Sequence, residues 1–124
     1  MLEMFEMIKP VTEFIAEAKT QCKCLDSLSA LEFYNQNANT TIIDVREPGE
    51  TEKDKLSMSV NIPRGLLEMK IEKTCPDADQ PILTHCGGGG RASMAAARLQ
   101  EMGYTNVFAI DAKYEDLKTV FEKD

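Results

Sequence analysis

The stretch that can do chemistry is His85-Cys86-Gly87-Gly88-Gly89-Gly90-Arg91-Ala92-Ser93. An apolar run, Pro81 to Thr84, leads into it, and an alanine-rich stretch leaves it. That pattern reads as strand end, turn and helix start. In open α/β sheets, ligand sites lie beyond the carboxyl ends of the strands. A helix N-terminus placed there offers unpaired N–H groups and a partial positive charge. A free thiol has a pKa of about 8.5, and helix N-termini or nearby cations lower it to about 3.5–7.5. Cys86 has both aids within reach: the helix that begins near Arg91, and the Arg91 guanidinium. The pattern therefore predicts a thiolate nucleophile. Gly87, Gly88, Gly89 and Gly90 let several N–H groups converge on one point, a nest for a sulfur anion, a persulfide or an oxyanion. A glycine run is otherwise a flexible linker. Its place between an apolar strand and an alanine-rich helix, with Cys86 and Arg91 at its ends, argues for an anion loop.

Other polar residues carry weaker signals. Arg91 reads as a brace for the loop with some anion contact. His85 is tempting as a general base, but strand alternation points it away from Cys86, so it reads as a structural, hydrogen-bonded histidine. Asp44 and Arg46 read as supporting polar contacts that fix the sheet end near the loop. Arg64 reads as a surface arginine, and Ser93 as bonding local backbone. Cys22-Lys23-Cys24 invites a metal reading. Zinc needs four ligands, however, and two cysteines two apart on a strand share one face, so core packing is the simpler account. Cys75 could resolve a persulfide as a disulfide, but the spacing gives no distance. His85 is the single histidine, which excludes multi-histidine metal sites. No metal site is expected.

The elements that must position the loop follow from periodicity. Leu2, Phe5, Ile8, Val11, Phe14, Ile15 and Ala18 recur at roughly helical spacing, with Pro10 breaking the run into a turn and a helix from about residue 10. This apolar stripe is expected to pack against the domain, with a dimer contact as the lesser reading. Cys22 to Leu25 reads as a short strand. Ser29 and Glu32 have capping-box spacing, which predicts a helix through Leu31 and Tyr34 that fades in Asn35–Asn39. Thr41 to Val45 reads as a buried strand. Residues 46–58, charged and holding Pro48 and Gly49, read as a surface loop or irregular turn. Val60 to Ile62 predicts a strand closed by Pro63. Leu66, Leu67, Met69 and Ile71 predict a helix ending near Cys75-Pro76. Pro81 to His85 is a strand, Arg91 to Met102 a helix stopped by Gly103, Asn106 to Ile110 a strand, and Tyr114 to Glu122 the last helix. Strands alternating with helices imply an α/β domain with a mostly parallel sheet.

Composition bounds the rest. The 124 residues make one domain, read as a lead helix over 1–20 and a main domain over 21–124. Hydrophobic residues at 43% and charged residues at 28% fit a soluble globular chain. No apolar run reaches the ~18–20 residues that span a bilayer, so no membrane partner is expected. Glu3 and Glu6 stand where an export signal carries positive charge, which points to a cytoplasmic location. Without export, the four cysteines do not default to a disulfide framework. The net charge of −7 repels phosphate backbones, so nucleic acid is a poor partner.

The sequence resembles the rhodanese family, the sulfurtransferases with a Cys-x-x-x-x-Arg active loop, from about Leu25 to Glu122. Ile43-Asp44-Val45-Arg46-Glu47 is similar to the family's Asp-Val-Arg strand end, and Asn61-Ile62-Pro63 to its Asn-Ile-Pro. Cys86 through Arg91 matches the six-residue loop, with Gly89 at the favoured glycine. Met102-Gly103-Tyr104 with Asn106-Val107 matches its late Gly-Tyr, Asn-Val. Pro63 to Glu68 and the lead helix look like a bacterial single-domain subgroup. Three stretches depart: Asp54 to Ser59 replaces Gly-His-Ile-x-Gly-Ala, Ala112-Lys113 replaces a Gly-Gly, and Leu117 stands nearest the usual Trp.

The resemblance implies a three-layer fold with a parallel sheet of about five strands and helices on both faces. It also implies sulfur transfer through a persulfide on Cys86, with no metal or organic cofactor. The donor would be thiosulfate or a persulfide, and the acceptor a thiol, cyanide or a protein. A monomer or weak homodimer is expected. Because the loop between Cys86 and Arg91 is all glycine, thiosulfate is expected to bind weakly. The rival readings are a non-catalytic or regulatory binding module and, further off, phosphatase or arsenate reductase chemistry. The phosphatases of this fold use a loop one residue longer, and a six-residue loop fits a sulfur-sized group better than a tetrahedral phosphate.

Overall fold

The computed structural model describes residues 8–122. The part of the lead segment that holds Leu2 and Phe5 lies outside them. The order is α1 (Val11–Gln21), β1 (Lys23–Leu25), α2 (Ser27–Gln36), β2 (Thr41–Asp44), α3 (Pro48–Lys53) and β3 (Ser59–Asn61). A 3-10 turn (Arg64–Leu66) then runs into α4 (Leu67–Thr74), β4 (Ile82–His85), α5 (Gly90–Met102), β5 (Val107–Ile110) and α6 (Tyr114–Phe121). The five strands form one parallel sheet in the order β1-β5-β4-β2-β3. With β4 at its centre, the loop after His85 leaves from the middle of the carboxyl edge.

Alternation along the strands feeds two cores. Ile43, Val45, Ile82 and Cys86 face one side, with Ala92, Ala95, Ala96 and Leu99 of α5 and with Leu67 and Ile71 of α4. Ile42, Leu83 and Ile110 face the other, with Ala30 of α2 and Leu117 and Phe121 of α6. The expected three layers are therefore present. The alanines of α5 let it lie close to the sheet while α1 packs along its outer side. Gly103, at φ 111, caps α5 in the left-handed region, where Gly carries no steric penalty. Tyr104 then turns inward and donates its hydroxyl to Cys75 O at 2.6 Å, joining the end of α5 to the end of α4.

The three departures from the family pattern are absorbed. Among the described residues only Gly89 and Gly103 have positive φ, so Ala112-Lys113 needs no glycine there. Leu117 is fully buried. Leu56 plugs the second core, and Ser59 Oγ donates to Leu56 O at 2.9 Å to close the turn before β3.

Four expectations are corrected. The cap of α2 is Asp26, whose carboxylate accepts the Ser29 N–H at 2.8 Å, so Ser29 is the recipient of the cap and not the cap itself. The charged segment 46–58 is not all loop. Pro48 starts α3, and Glu50 Oε1 accepts the Glu47 N–H at 2.9 Å. Cys24 is exposed, because β1 is a three-residue edge strand; of the pair only Cys22 is buried. The stripe on α1 buries Ala18 and half-buries Ile15, while Val11 and Phe14 stay 60% and 49% exposed. α1 lies on a helix rather than on the sheet, and one helix covers only a narrow strip of another.

Candidate active site

β4 fixes the base of the site. Its alternation turns Thr84 and Cys86 toward α5 and His85 toward α6, as expected. Thr84 Oγ1 donates to Ala92 O at 2.8 Å, tying the first turn of α5 to the strand. Cys86 is 2% exposed and lies beneath the loop. Its sulfur accepts the Gly89 N–H at 3.0 Å and the Ala92 N–H at 3.3 Å. Gly89, at φ 99, is the bend that turns the chain into α5. Its carbonyl accepts the Ser93 N–H at 2.9 Å and the Ser93 hydroxyl at 2.7 Å, so Ser93 bonds local backbone as expected. Gly88 is exposed and faces open space, which leaves the loop crest without side chains.

Arg91 reaches across to α3. It is tied to Glu50 of α3 by hydrogen bonds of 2.7 and 3.1 Å. These bonds hold the Glu50 carboxyl down at about 2. The same pairing, with Cys86 adding a smaller favourable effect, holds Arg91 above its ordinary value. The first half of the loop is secured from α6, whose Tyr114 N–H donates to Gly87 O at 3.0 Å.

Asp44 and Arg46 form a buried platform next to the loop. Arg46 Nε and an η nitrogen donate to the Asp44 carboxylate at 3.0 and 2.8 Å, and the same η nitrogen donates to Asp54 O at 2.8 Å. Burial is the largest single effect and opposes the guanidinium charge, but the Asp44 hydrogen bonds and charge, with Tyr114 and Glu50, together outweigh it and raise the Arg46 pKa. Asn61 Nδ2 donates to Asp44 O and Arg46 O at 2.8 and 2.9 Å, so the Asn-Ile-Pro segment clamps the Asp-Val-Arg turn. The Arg46 guanidinium lies 4.1 Å above the centre of the Tyr114 ring. Arg46, Glu50, Lys53, Asp54, Tyr114, Glu115 and Lys118 line a cleft of about 480 Å³ that flanks the loop.

His85 departs from expectation in one respect. It is buried and turned away from Cys86, but neither ring nitrogen has a hydrogen-bond partner; Asp44 Oδ2 is 3.7 Å from Nε2. Burial lowers its pKa, with Asp44 opposing, so the ring is neutral at pH 7. It stacks on Tyr114, whose own buried hydroxyl is also unpartnered. Arg64, expected on the surface, is half-buried and pairs with Glu68. Burial, with Cys24 adding to it, pushes the Cys22 thiol up to about 12. Among the described residues no cluster of three or more His, Cys, Asp or Glu side chains could hold a metal. No helix among them is long and apolar enough to cross a membrane.

The sequence reading missed Glu50 and Tyr114. Glu50 was legible in principle, because Glu47-Pro48-x-Glu50 has the spacing of a helix start. Tyr114 had no local signal, since its link to Gly87 spans the sheet edge.

Comparison with known proteins places this geometry. The rhodanese-like domain family matches residues 29–119. The chain is 38% identical over 73 residues to a tRNA sulfurtransferase of Shewanella halifaxensis (strain HAW-EB4). That match covers 57% of this chain but only 15% of the longer protein. It is 26% identical over 83 residues to the thiosulfate sulfurtransferase GlpE of Pseudomonas syringae pv. syringae (strain B728a), covering 67% of this chain and 76% of that one. A solved structure from Rhodopseudomonas palustris CGA009, a protein of unknown function described as a possible tyrosine phosphatase, superposes with a TM-score of 0.77. The identity is 27%, covering 90% of this chain and 91% of that one. The five-stranded parallel sheet with helices on both faces agrees with the family match, and the chain belongs to the rhodanese-like domain family.

Proposed function

We propose that this chain is a sulfurtransferase that carries sulfane sulfur as a persulfide on Cys86. The observation that supports it best is the Cys86 sulfur held by the Gly89 and Ala92 N–H groups at 3.0 and 3.3 Å, under a loop with no side chains on its crest. Such donors stabilise negative charge on sulfur without a protonated base nearby.

The reaction balances in two displacements. The Cys86 thiolate attacks the sulfane sulfur of the donor. The donor's S–S bond breaks, and its electron pair leaves with sulfite from thiosulfate or with a thiolate from a persulfide. Cys86 then carries the outer sulfur as a persulfide anion, for which the Gly87–Gly90 backbone is the cradle. A thiol, cyanide or protein acceptor attacks that outer sulfur, and Cys86 departs as the thiolate it began as. Arg91 braces the loop, while Asp44 and Arg46 hold the strand end beside it.

The donor class follows from charge. Arg91 is the nearest guanidinium on the loop, and Glu50 already answers its charge. The chain carries −7 overall. Thiosulfate, a dianion, therefore binds weakly, and a neutral or protein-borne persulfide is the better donor. A low Michaelis constant for thiosulfate would overturn this point.

One observation favours a second reading: the R. palustris neighbour is described as a possible tyrosine phosphatase. Against it stands the six-residue span from Cys86 to Arg91, which suits a sulfur-sized group. Turnover of an aryl phosphate that Cys86→Ser abolishes would favour the phosphatase.

The deciding experiment is intact mass before and after incubation with thiosulfate or glutathione persulfide, beside Cys86→Ala. We expect a gain of about 32 Da, one sulfur, that cyanide removes and the variant lacks. No gain from folded, reduced protein with either donor would replace this reading with a binding module.

A further inference from the structure

The lead helix reaches the loop at two points. A Cβ built on Gly90 would sit 2.8 Å from Ile15 Cδ1, so Ile15 fills the space a side chain there would need. One turn further along α1, Lys19 Nζ pairs with Asp111 Oδ2 at 3.1 Å. The other oxygen of Asp111 would lie 2.4 Å from a Cβ on Gly89. Gly88 meets nothing, and Gly87 meets only Arg91. The loop is thus braced in two halves. Its start and its Arg91 side chain are held from α6 and α3, and its second half from α1.

That second half aims the donors at the sulfur. Gly89 supplies one N–H, and Gly90 opens the helix turn that delivers the Ala92 N–H. A hydrogen bond weakens steeply with distance and angle. A shift of Gly90 therefore moves both donors together. Protein interiors are close-packed, so removing a side chain that presses on backbone lets the backbone relax toward the gap.

We propose that Ile15 is a positioning residue for the Cys86 chemistry, pressing on Gly90 so that the Gly89 and Ala92 N–H groups stay aimed at the sulfur, with Lys19 supporting the same half through Asp111. The catalytic part rests on the sulfurtransferase reading; the contact itself does not.

The test uses the full chain as wild type, Ile15→Val, Ile15→Ala, Gly90→Ala and the Ile15→Ala/Gly90→Ala pair, with circular dichroism to confirm folding. Two quantities are read: the alkylation rate of Cys86 by iodoacetamide at neutral pH, resolved by peptide mass, and kcat and KM for sulfur transfer from glutathione persulfide to cyanide. We expect Ile15→Ala to slow alkylation and to lower kcat roughly three- to tenfold with KM little changed, Ile15→Val falling between. Gly90→Ala should also slow alkylation, by displacing Ile15 or the loop, and its effect should shrink in the Ile15→Ala background, where room for the new methyl exists. Equal Gly90→Ala effects in both backgrounds, or Ile15→Ala with wild-type alkylation and kcat, would overturn the proposal. If Gly90→Ala does not fold, the ordered series wild type, Ile15→Val, Ile15→Ala decides: a graded decline supports it and a flat series sinks it. A wild type that turns over no donor but keeps the alkylation coupling would defeat the sulfurtransferase reading alone.

Discussion

Arg91 and Glu50 lie 41 residues apart and meet through two hydrogen bonds of 2.7 and 3.1 Å. The contact joins α3 to the last residue of the Cys86–Arg91 loop. It turns the one guanidinium on the loop into a tether. Glu50→Gln should therefore lower kcat for sulfur transfer severalfold. Because both partners are about a third or more exposed, it should cost less than about 1 kcal/mol in urea unfolding. The Glu50 pKa is depressed to about 2, so the stabilisation is fully present above the unfolded value near 4.3 and is lost as pH falls toward 2. Urea midpoints of wild type and Glu50→Gln should therefore converge between pH 4.5 and 2, and stay parallel from pH 5 to 8.

The Asp44–Arg46 pair behaves differently because it is buried. Removing one partner leaves a charge without solvent or counter-charge. Asp44→Ala should destabilise by roughly 3–5 kcal/mol. The double variant Asp44→Ala/Arg46→Met should lose less than Asp44→Ala alone. Urea unfolding of the two variants side by side checks this, and the opposite order would show that the guanidinium finds another partner.

His85 sets a pH dependence of the opposite origin. Burial lowers its pKa below the unfolded value of about 6.5. On acidification the unfolded chain takes up the proton first, so His85 removes stability as pH falls from 6.5 to its folded value. Since both ring nitrogens lack partners, His85→Leu removes no hydrogen bond. It should lose less stability than wild type between pH 7 and pH 5, measured by urea unfolding at both.

The loop glycines should separate by position. Gly89→Ala must adopt a φ of 99 and meet Asp111 at 2.4 Å. It should cost at least about 1 kcal/mol from the backbone alone. Gly88→Ala faces open space and should stay within about 0.5 kcal/mol. Thermal melts of the two variants give the comparison directly.

The sequence by itself determined the order of the strands and of every helix but α3, the sheet's composition and the place of the Cys86 loop, because these rest on local rules. Apolar runs such as Ile42-Ile43 and Ile82-Leu83 make buried parallel strands wherever they sit, and a strand running into glycines and then alanines makes a turn and a helix. Alternation likewise separated His85 from Cys86. What it left open depends on contacts between segments far apart in the chain. Whether Cys24 is covered is set by β1 being the sheet edge. Whether His85 finds a partner is set by how Asp44 spends its oxygens on Arg46. Glu50 meets Arg91 only because α3 stands opposite the loop, and a side chain at Gly90 would meet Ile15, on a helix that precedes the whole sheet. A residue's type and spacing carry its local geometry, but the partner across the fold decides what its charge or bulk does.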